Sequence, residues 1–263
     1  MRKRGSEMER FEQPIGVFDS GVGGVSVLRE LIRLMPYENY IFFGDSLRAP
    51  YGSKTLQEVR SLTEQHVGAL LAQGVKAVVI ACNTATSADV SILRGKYPGI
   101  PIIGIEPALK PAVLSAEHPR VLVLATPMTI REEKFCRLMK QYETQAEIMT
   151  QPCPELVRFV ERGDFDSEEL KAYLHEVLDA YRKEKWDAVV LGCTHFPFVK
   201  HAIQEVLENQ TAFFDGGSGV ARETKRRLKE QGLLQDNARS GRVVFQNSDS
   251  TKTKLCRKLA ESQ

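Results

Sequence analysis

Residues 77–84 read AVVIACNT and residues 188–195 read AVVLGCTH: a short apolar run, a small residue, a cysteine, then polar side chains. A continuous β-branched run of this length predicts a buried strand of a parallel sheet, with the cysteine where the strand ends. Each thiol, Cys82 and Cys193, is then expected at a strand's C-terminal edge, just ahead of a helix. Open α/β sheets bind their ligands at that edge. Two such edges facing each other would enclose a small molecule between two thiols.

The neighbouring segments extend the alternation of strand and helix. Residues 15–19 (IGVFD) read as a strand ending in Asp19 and running into Ser20, Gly21, Val22, Gly23 and Gly24. The helix that follows carries Val25, Leu28, Leu31 and Ile32 on one face. Such a turn leaves helix-start amides free for an anion. The fingerprint of a dinucleotide site is broken, because Ser26 stands where the third glycine belongs. Residues 40–44 (YIFFG) form the next strand and lead into a loop whose prolines and glycines can present Tyr51 from a rigid turn. A helix over 54–73 follows, with His66 on its apolar stripe, where a packed histidine is the simpler reading than a ligand.

After the first cysteine come a helix and the strand 100–105, and Glu106 and Pro107 mark a crossover to a second series. Strand 121–124 ends in Ala125, Thr126, Pro127, Met128 and Thr129, where a threonine can cap the next helix or bond a ligand. A weak strand over 147–150, a helix ending at 161–163 and a charged helix over 167–184 precede the second cysteine. Strand 212–214, a helix ending near Gly232, strand 243–246 and a last helix complete the series. The closing segment is expected to return to the first domain and add a strand there. The predicted domains are 14–106 plus 216–263, and 107–215, with residues 1–13 as a disordered tail.

At 263 residues the chain is long enough for two modest domains, and a formal charge of +2 gives no general pull toward nucleic acid. Basic residues outnumber acidic ones about two to one from Arg222 onward, on a helix that ends near Gly232; no aromatic residues are interleaved in that helix as nucleic-acid platforms need, so a solvated face is the reading. No apolar run nears the roughly 18 to 20 residues of a membrane span. Five scattered cysteines without a CxxC pair, and an opening MRKRGSEMERFEQ without an apolar core, fit a reducing cytoplasm.

A neutral thiol is a poor base, and lowering its pKa from about 8.5 to 7 takes about 2 kcal/mol. A helix N-terminus supplies about 0.3 to 1 kcal/mol, up to about 2 in good partly buried geometry, so the dipole alone is marginal and a second group is wanted to take or share the proton. Asp19 and His195, at strand ends on the same rim, are the candidates. A carboxylate would raise a neighbouring thiol, which suits Asp19 as proton acceptor or relay, while His195 can serve as acid or base near neutrality. Two thiols on opposite sides of one carbon describe stereoinversion, with Ser20, Asn83, Thr84 and Thr194 available to hold the carbanion's charge. Rival readings are a metal site, which the close Cys193 and His195 alone do not make, a covalent thiol hydrolase, which leaves one cysteine unexplained, and two structural cysteines at core strand ends.

IGVFDSGVGG (15–24), GDSLRAPYGSK (44–54), VVIACNTAT (78–86) and LGCTHFP (191–197) together resemble the bacterial glutamate racemases of the cofactor-independent aspartate/glutamate racemase superfamily. The resemblance implies two pseudo-symmetric open-sheet α/β domains with mainly parallel strands and the active site between them. It implies interconversion of L- and D-glutamate without cofactor or metal, D-glutamate for peptidoglycan, a cytoplasmic enzyme and a homodimer. Cys82 and Cys193 match the family's catalytic pair, serving the D- and L-enantiomers respectively; Asp19 assists the first, and Glu161 with His195 the second. Glu155, in the same CPELVRFVERG segment, competes for the place of Glu161. Ser20, Pro50, Tyr51, Gly52, Asn83, Thr84, Thr126, Thr129 and Thr194 match substrate contacts. Ala125 stands where many members have glycine, and Ala49 lies where the loop varies. An aspartate racemase, or a catalytically silent homologue that binds a partner, are the alternatives.

Overall fold

The computed structural model describes residues 10–208, 211–235 and 239–261. The first series runs β1 (Ile15–Asp19), α1 (Val25–Leu34), β2 (Tyr40–Gly44), α2 (Leu56–Ala72), β3 (Ala77–Ile80), α3 (Asn83–Lys96) and β4 (Ile102–Gly104). After α4 (Leu109–Val113), the second begins with β5 (Arg120–Ala125), α5 (Pro127–Arg131), α6 (Glu133–Tyr142), β6 (Glu147–Pro152), α7 (Glu155–Glu161) and α8 (Glu168–Arg182). It ends with β7 (Ala188–Leu191), α9 (Lys200–Leu207) and β8 (Ala212–Asp215). Helix α10 (Gly217–Glu230), strand β9 (Val243–Asn247) and helix α11 (Thr253–Glu261) follow.

Every strand pairing is parallel, in two sheets ordered β4-β3-β1-β2-β9 and β6-β5-β7-β8. Reversed, the second reads β8-β7-β5-β6, the same order as β4-β3-β1-β2, so the duplicated sequence has produced a duplicated topology. In each sheet the chain starts at a central strand, adds one neighbour on one side, then crosses to the other. The cysteine-bearing loop leaves the strand laid down at that crossing, which is where an open α/β sheet opens a crevice.

The central strands β1, β3 and β7 are buried along their whole length, whereas the edge strands β6, β8 and β9 are partly exposed. Continuous apolar runs therefore mark the middle of each sheet. One apolar cluster includes Val17 and Val79 from the first sheet, Leu122 and Val189 from the second, and Phe196 in the turn after β7, so the two units share a core. The outer faces carry their own clusters, around Phe18 and Ile80 and around Val123 and Val190.

Residues 1–9 lie outside the described residues, and Arg10–Glu12 depart from the expected disordered tail by closing a 3-10 turn. The cause is a buried ion pair: Lys76 Nζ donates to both Glu38 Oε2 and the Phe11 carbonyl, and Arg10 donates to Gly99 O (2.9 Å). Glu38 Oε1 also accepts from the Gln235 amide (2.8 Å), which brings the chain back beneath the first sheet before β9 pairs with β2.

Candidate active site

The two cysteines meet one narrow cavity between the C-terminal edges of the two sheets. Its walls include Ser20, Pro50, Tyr51, Gly52, Cys82, Asn83, Thr84, Thr126, Thr129, Cys193, Thr194 and His195, with Val157 and Gly192 completing it. All nine expected substrate contacts line it. Of the acids, Asp19 and Glu161 stand behind it. A broader cleft of about 690 Å³ opens outside, sharing Pro50, Gly52 and Thr126 and bearing Lys54, Arg60 and Arg131 on its walls.

Cys82 is the N-cap of α3: its Sγ accepts from the Ala85 amide (3.4 Å), and its thiol donates to Ser20 Oγ (3.3 Å). Burial pushes the thiol up to about 12, the negative charge of Asp19 adds to that, and the Ser20 and Ala85 contacts only partly offset it. A charge on Cys193 raises it further, so the two sulfurs lie within each other's field. Asp19 bonds elsewhere: Oδ2 accepts from the Gly21 amide (3.1 Å) and Oδ1 from Thr194 Oγ1 (3.1 Å). Its pKa is raised, by burial first, against the lowering influence of His195 and the Gly21 and Gly24 amides.

Cys193 departs from the expected symmetry. The stretch after it is a 3-10 turn, Phe196–Val199, with Pro197 in its first turn, and α9 starts only at Lys200. The amide in the place of Ala85, that of Phe196, donates to the Cys193 carbonyl (3.1 Å) and not to the thiol, so the helix-start donor that serves Cys82 is missing here. His195 takes its place: Nδ1 lies 3.7 Å from Cys193 Sγ, and Nε2 lies 2.6 Å from Glu161 Oε1. Nε2 is also 3.3 Å from the Gly23 amide. One nitrogen cannot accept from Gly23 while carrying a proton toward Glu161, and the shorter, charge-assisted contact decides that Nε2 carries it. Burial disfavours the imidazolium, but the bonds to Cys193 and Glu161 outweigh burial and lift His195 well above its ordinary range. Burial likewise opposes the Glu161 carboxylate, yet His195 holds it below its ordinary value. Glu155 is on the other side of α7, paired with Arg158 in solvent.

The hydroxyls form a chain across the cavity: Thr84 to Thr126 (3.4 Å) and Thr126 to Thr129 (3.0 Å), with Thr126 also capping α5 through the Thr129 amide. Asn83 Oδ1 is buried without a hydrogen-bond partner. Tyr51 is held by its hydroxyl on Asp45 Oδ2 (2.8 Å), which also meets His66 Nε2 (3.0 Å), while Arg48 donates to Asp45 Oδ1 (3.0 Å). His66 packs against the Phe43 ring (4.6 Å), as expected of a packed histidine, and in addition bonds Asp45. Nothing local in the sequence marks Asp45; only the fold brings it under Tyr51. Among the described residues, one group could hold a metal ion, Asp166, His201 and Glu205, on the surface; Lys171 bridges its two acids.

Residues 15–224 match the Asp/Glu/Hydantoin racemase family. The glutamate racemase of Clostridium botulinum is 48% identical over 257 residues, covering 97% of this chain and 100% of that protein. Among solved structures, a glutamate racemase from Bacillus anthracis superposes with a TM-score of 0.83 at 30% identity, covering 95% of each chain. The Francisella tularensis glutamate racemase in complex with D-glutamate gives 0.81 at 27% identity, over 96% of this chain and 95% of that one. With its duplicated sheets, its paired thiols and these matches along nearly its whole length, the chain belongs to the Asp/Glu/Hydantoin racemase family.

Proposed function

We propose that this protein is a glutamate racemase that inverts Cα by two-base proton transfer between Cys193 and Cys82, with no cofactor. The observation that carries the reading is the pair of thiols on one cavity from two topologically equivalent loops. Their settings differ in a useful way. Cys193 has an imidazole beside it that can take its proton and share the resulting charge with Glu161; Cys82 is held protonated by burial. In one direction, Cys193 as thiolate takes the Cα proton of L-glutamate, and the Cys82 thiol delivers its own to the opposite face. The reverse direction exchanges the roles, with Asp19 taking up the proton that Cys82 must lose.

The substrate's ammonium suits the unpartnered Asn83 Oδ1, and its carboxylates suit the hydroxyls of Thr84, Thr126, Thr129 and Thr194 and the amides at the start of α3. Neutral donors of this kind can hold the charge of the planar carbanion without fixing a proton on it. Pro50, Tyr51, Gly52 and Ser20 close the remaining wall. The division into 14–106 plus 216–263 and 107–215, the homodimer, the cytoplasmic setting and the supply of D-glutamate to peptidoglycan belong to the same reading. Among the described residues no helix is long and apolar enough to cross a membrane.

The test is circular dichroism of D- and L-glutamate with purified protein and reductant in D₂O, alongside both enantiomers of aspartate. Both glutamate signals should decay as deuterium enters Cα. Decay for aspartate alone would replace the substrate, and no decay for either would leave a binding protein.

A further inference from the structure

The C-terminal segment bonds Glu161 at its carbonyl and borders its carboxylate through Ser46. Glu161 is the last residue of α7, and the helix end is closed by Gly163 at φ +79, whose amide donates to Val160 O (3.0 Å) while the Asp164 amide donates to Phe159 O (2.9 Å). That motif serves the carbonyls of Phe159 and Val160 and leaves the Glu161 carbonyl to another donor. Lys252 Nζ supplies it at 2.8 Å, from the turn Ser250–Lys252 ahead of α11. Leu255, one turn on, packs against the same helix end, 3.6 Å from where a Gly163 Cβ would stand.

A second link, from Asn247 through Ser46, approaches the carboxylate without bonding it. Glu161 Oε1 is taken by His195 and by the Val22 amide (2.7 Å), whereas Oε2 is buried and unpartnered. Asn247, the last residue of β9, donates from Nδ2 to Ser46 Oγ (3.0 Å). That bond occupies an acceptor position of the hydroxyl and leaves its proton for Glu161, whose charged form Ser46 favours.

We propose that residues 247–255 are a positioning device for the Cys193–His195–Glu161 relay, with Lys252 as its positioning residue: its ammonium fixes the Glu161 backbone, and thereby the reach of the carboxylate to His195. The proposal rests on the relay described above. Strand β9 lies in the sheet that carries Cys82, and α7 packs in the unit that carries Cys193, so the bond also sets the register of the two thiols.

Lys252→Met, Lys252→Arg and Glu161→Gln would be assayed in both directions across pH, with α-protiated and α-deuterated glutamate of each configuration. Lys252→Met should lower kcat roughly ten- to a hundredfold with KM little changed. It should alter the pH profile in the same sense as Glu161→Gln and change the isotope effect unequally in the two directions, while Lys252→Arg recovers most of the loss. A Lys252→Met enzyme with normal kcat and pH profile beside an impaired Glu161→Gln overturns the proposal alone. A loss that leaves the pH profile and both isotope effects in place, unrescued by arginine, also overturns it. Normal kinetics in Glu161→Gln would overturn the relay itself. Should Lys252→Met fail to fold, Ser46→Ala must reproduce the altered profile, and an unaltered one there counts against the proposal.

Discussion

Cys82 caps a helix, accepting from the Ala85 amide and donating to Ser20, while Cys193 leans on an imidazole and, through it, a carboxylate. Two-base inversion as proposed would need both, so Cys82→Ser and Cys193→Ser should each lower turnover by at least about a thousandfold, since serine hydroxyls are far weaker acids than thiols. Far-ultraviolet circular dichroism of each variant should match the parent. Near-normal turnover in either variant would end the two-thiol mechanism. The His195–Glu161 pair carries a pH signature as well. Glu161 is held below its ordinary 4.5, chiefly because His195 overcomes the opposing burial, so its stabilising contribution is present above that value and is lost as pH falls. His195 is raised above 6.5, its bonds to Cys193 and Glu161 outweighing burial, so its contribution is whole below that value and fades as pH rises through the folded one. The pair is thus fully formed between these limits. Glu161→Gln should destabilise by about 1–3 kcal/mol near pH 6 in urea unfolding. The difference should shrink as pH falls below the ordinary 4.5 and through the lowered value, where the parent loses the charge too. Cys82, Cys193, Asp19 and His195 were legible in the sequence because each sits within a few residues of a strand end. Asp45 and Lys252 were not, since nothing local says that a carboxylate ahead of a loop will meet a tyrosine hydroxyl, or that a lysine will cross between units to cap a helix.

The elements were legible where a period and a cap coincide. Helix α2 begins at Leu56 because Thr55 accepts from the Glu58 amide while Glu58 accepts from the Thr55 amide, a capping box written in the residues T-L-Q-E. Thr55→Ala should cost about 1 kcal/mol, lowering Tm by roughly 3 °C in a chain of this size, with activity unchanged. The loop between β2 and α2 depends on Asp45 for its shape. Burial opposes the Asp45 carboxylate, but hydrogen bonds from His66, Ser248 and Tyr51 overcome it and hold its pKa far below the usual carboxylate range. Asp45→Ala leaves the Tyr51 hydroxyl, the His66 ring and the Arg48 guanidinium without that partner, a loss of about 2–4 kcal/mol by chemical unfolding. Because Tyr51 lines the cavity beside Pro50 and Gly52, KM for glutamate should rise along with the loss of stability. The second cysteine loop shows where reading from pattern stops. Its eight residues repeat the first copy closely, and only Pro197 indicates that a 3-10 turn will replace the helix start.

The whole molecule works through the fit of one sheet unit against the other. Ser26 Oγ donates to the Thr194 carbonyl (2.9 Å), Thr194 Oγ1 donates to Asp19, and the glycines after β1 lie flat against His195 and Glu161. A Cβ on Gly23 would stand 2.3 Å from His195 Nδ1 and 2.6 Å from two of its ring carbons, and the ring is buried in a close-packed interior. The clash falls between the units and touches neither sheet's interior. Gly23→Ala should therefore fold with both cores intact while the units are held apart, misplacing Cys193 relative to Cys82. A displacement near 1 Å is enough to lower kcat/KM roughly a hundredfold. Gly68→Ala supplies the control: no atom lies within 4 Å of its Cβ position, and α2 gains about 1 kcal/mol from replacing a mid-helix glycine, so Tm should rise with turnover unchanged. Tm and kcat/KM measured on both variants separate the packing of the units from the stability of either one. If Gly23→Ala turned over glutamate at the parent's rate, the contact between the first glycine turn and His195 would not belong to the working enzyme.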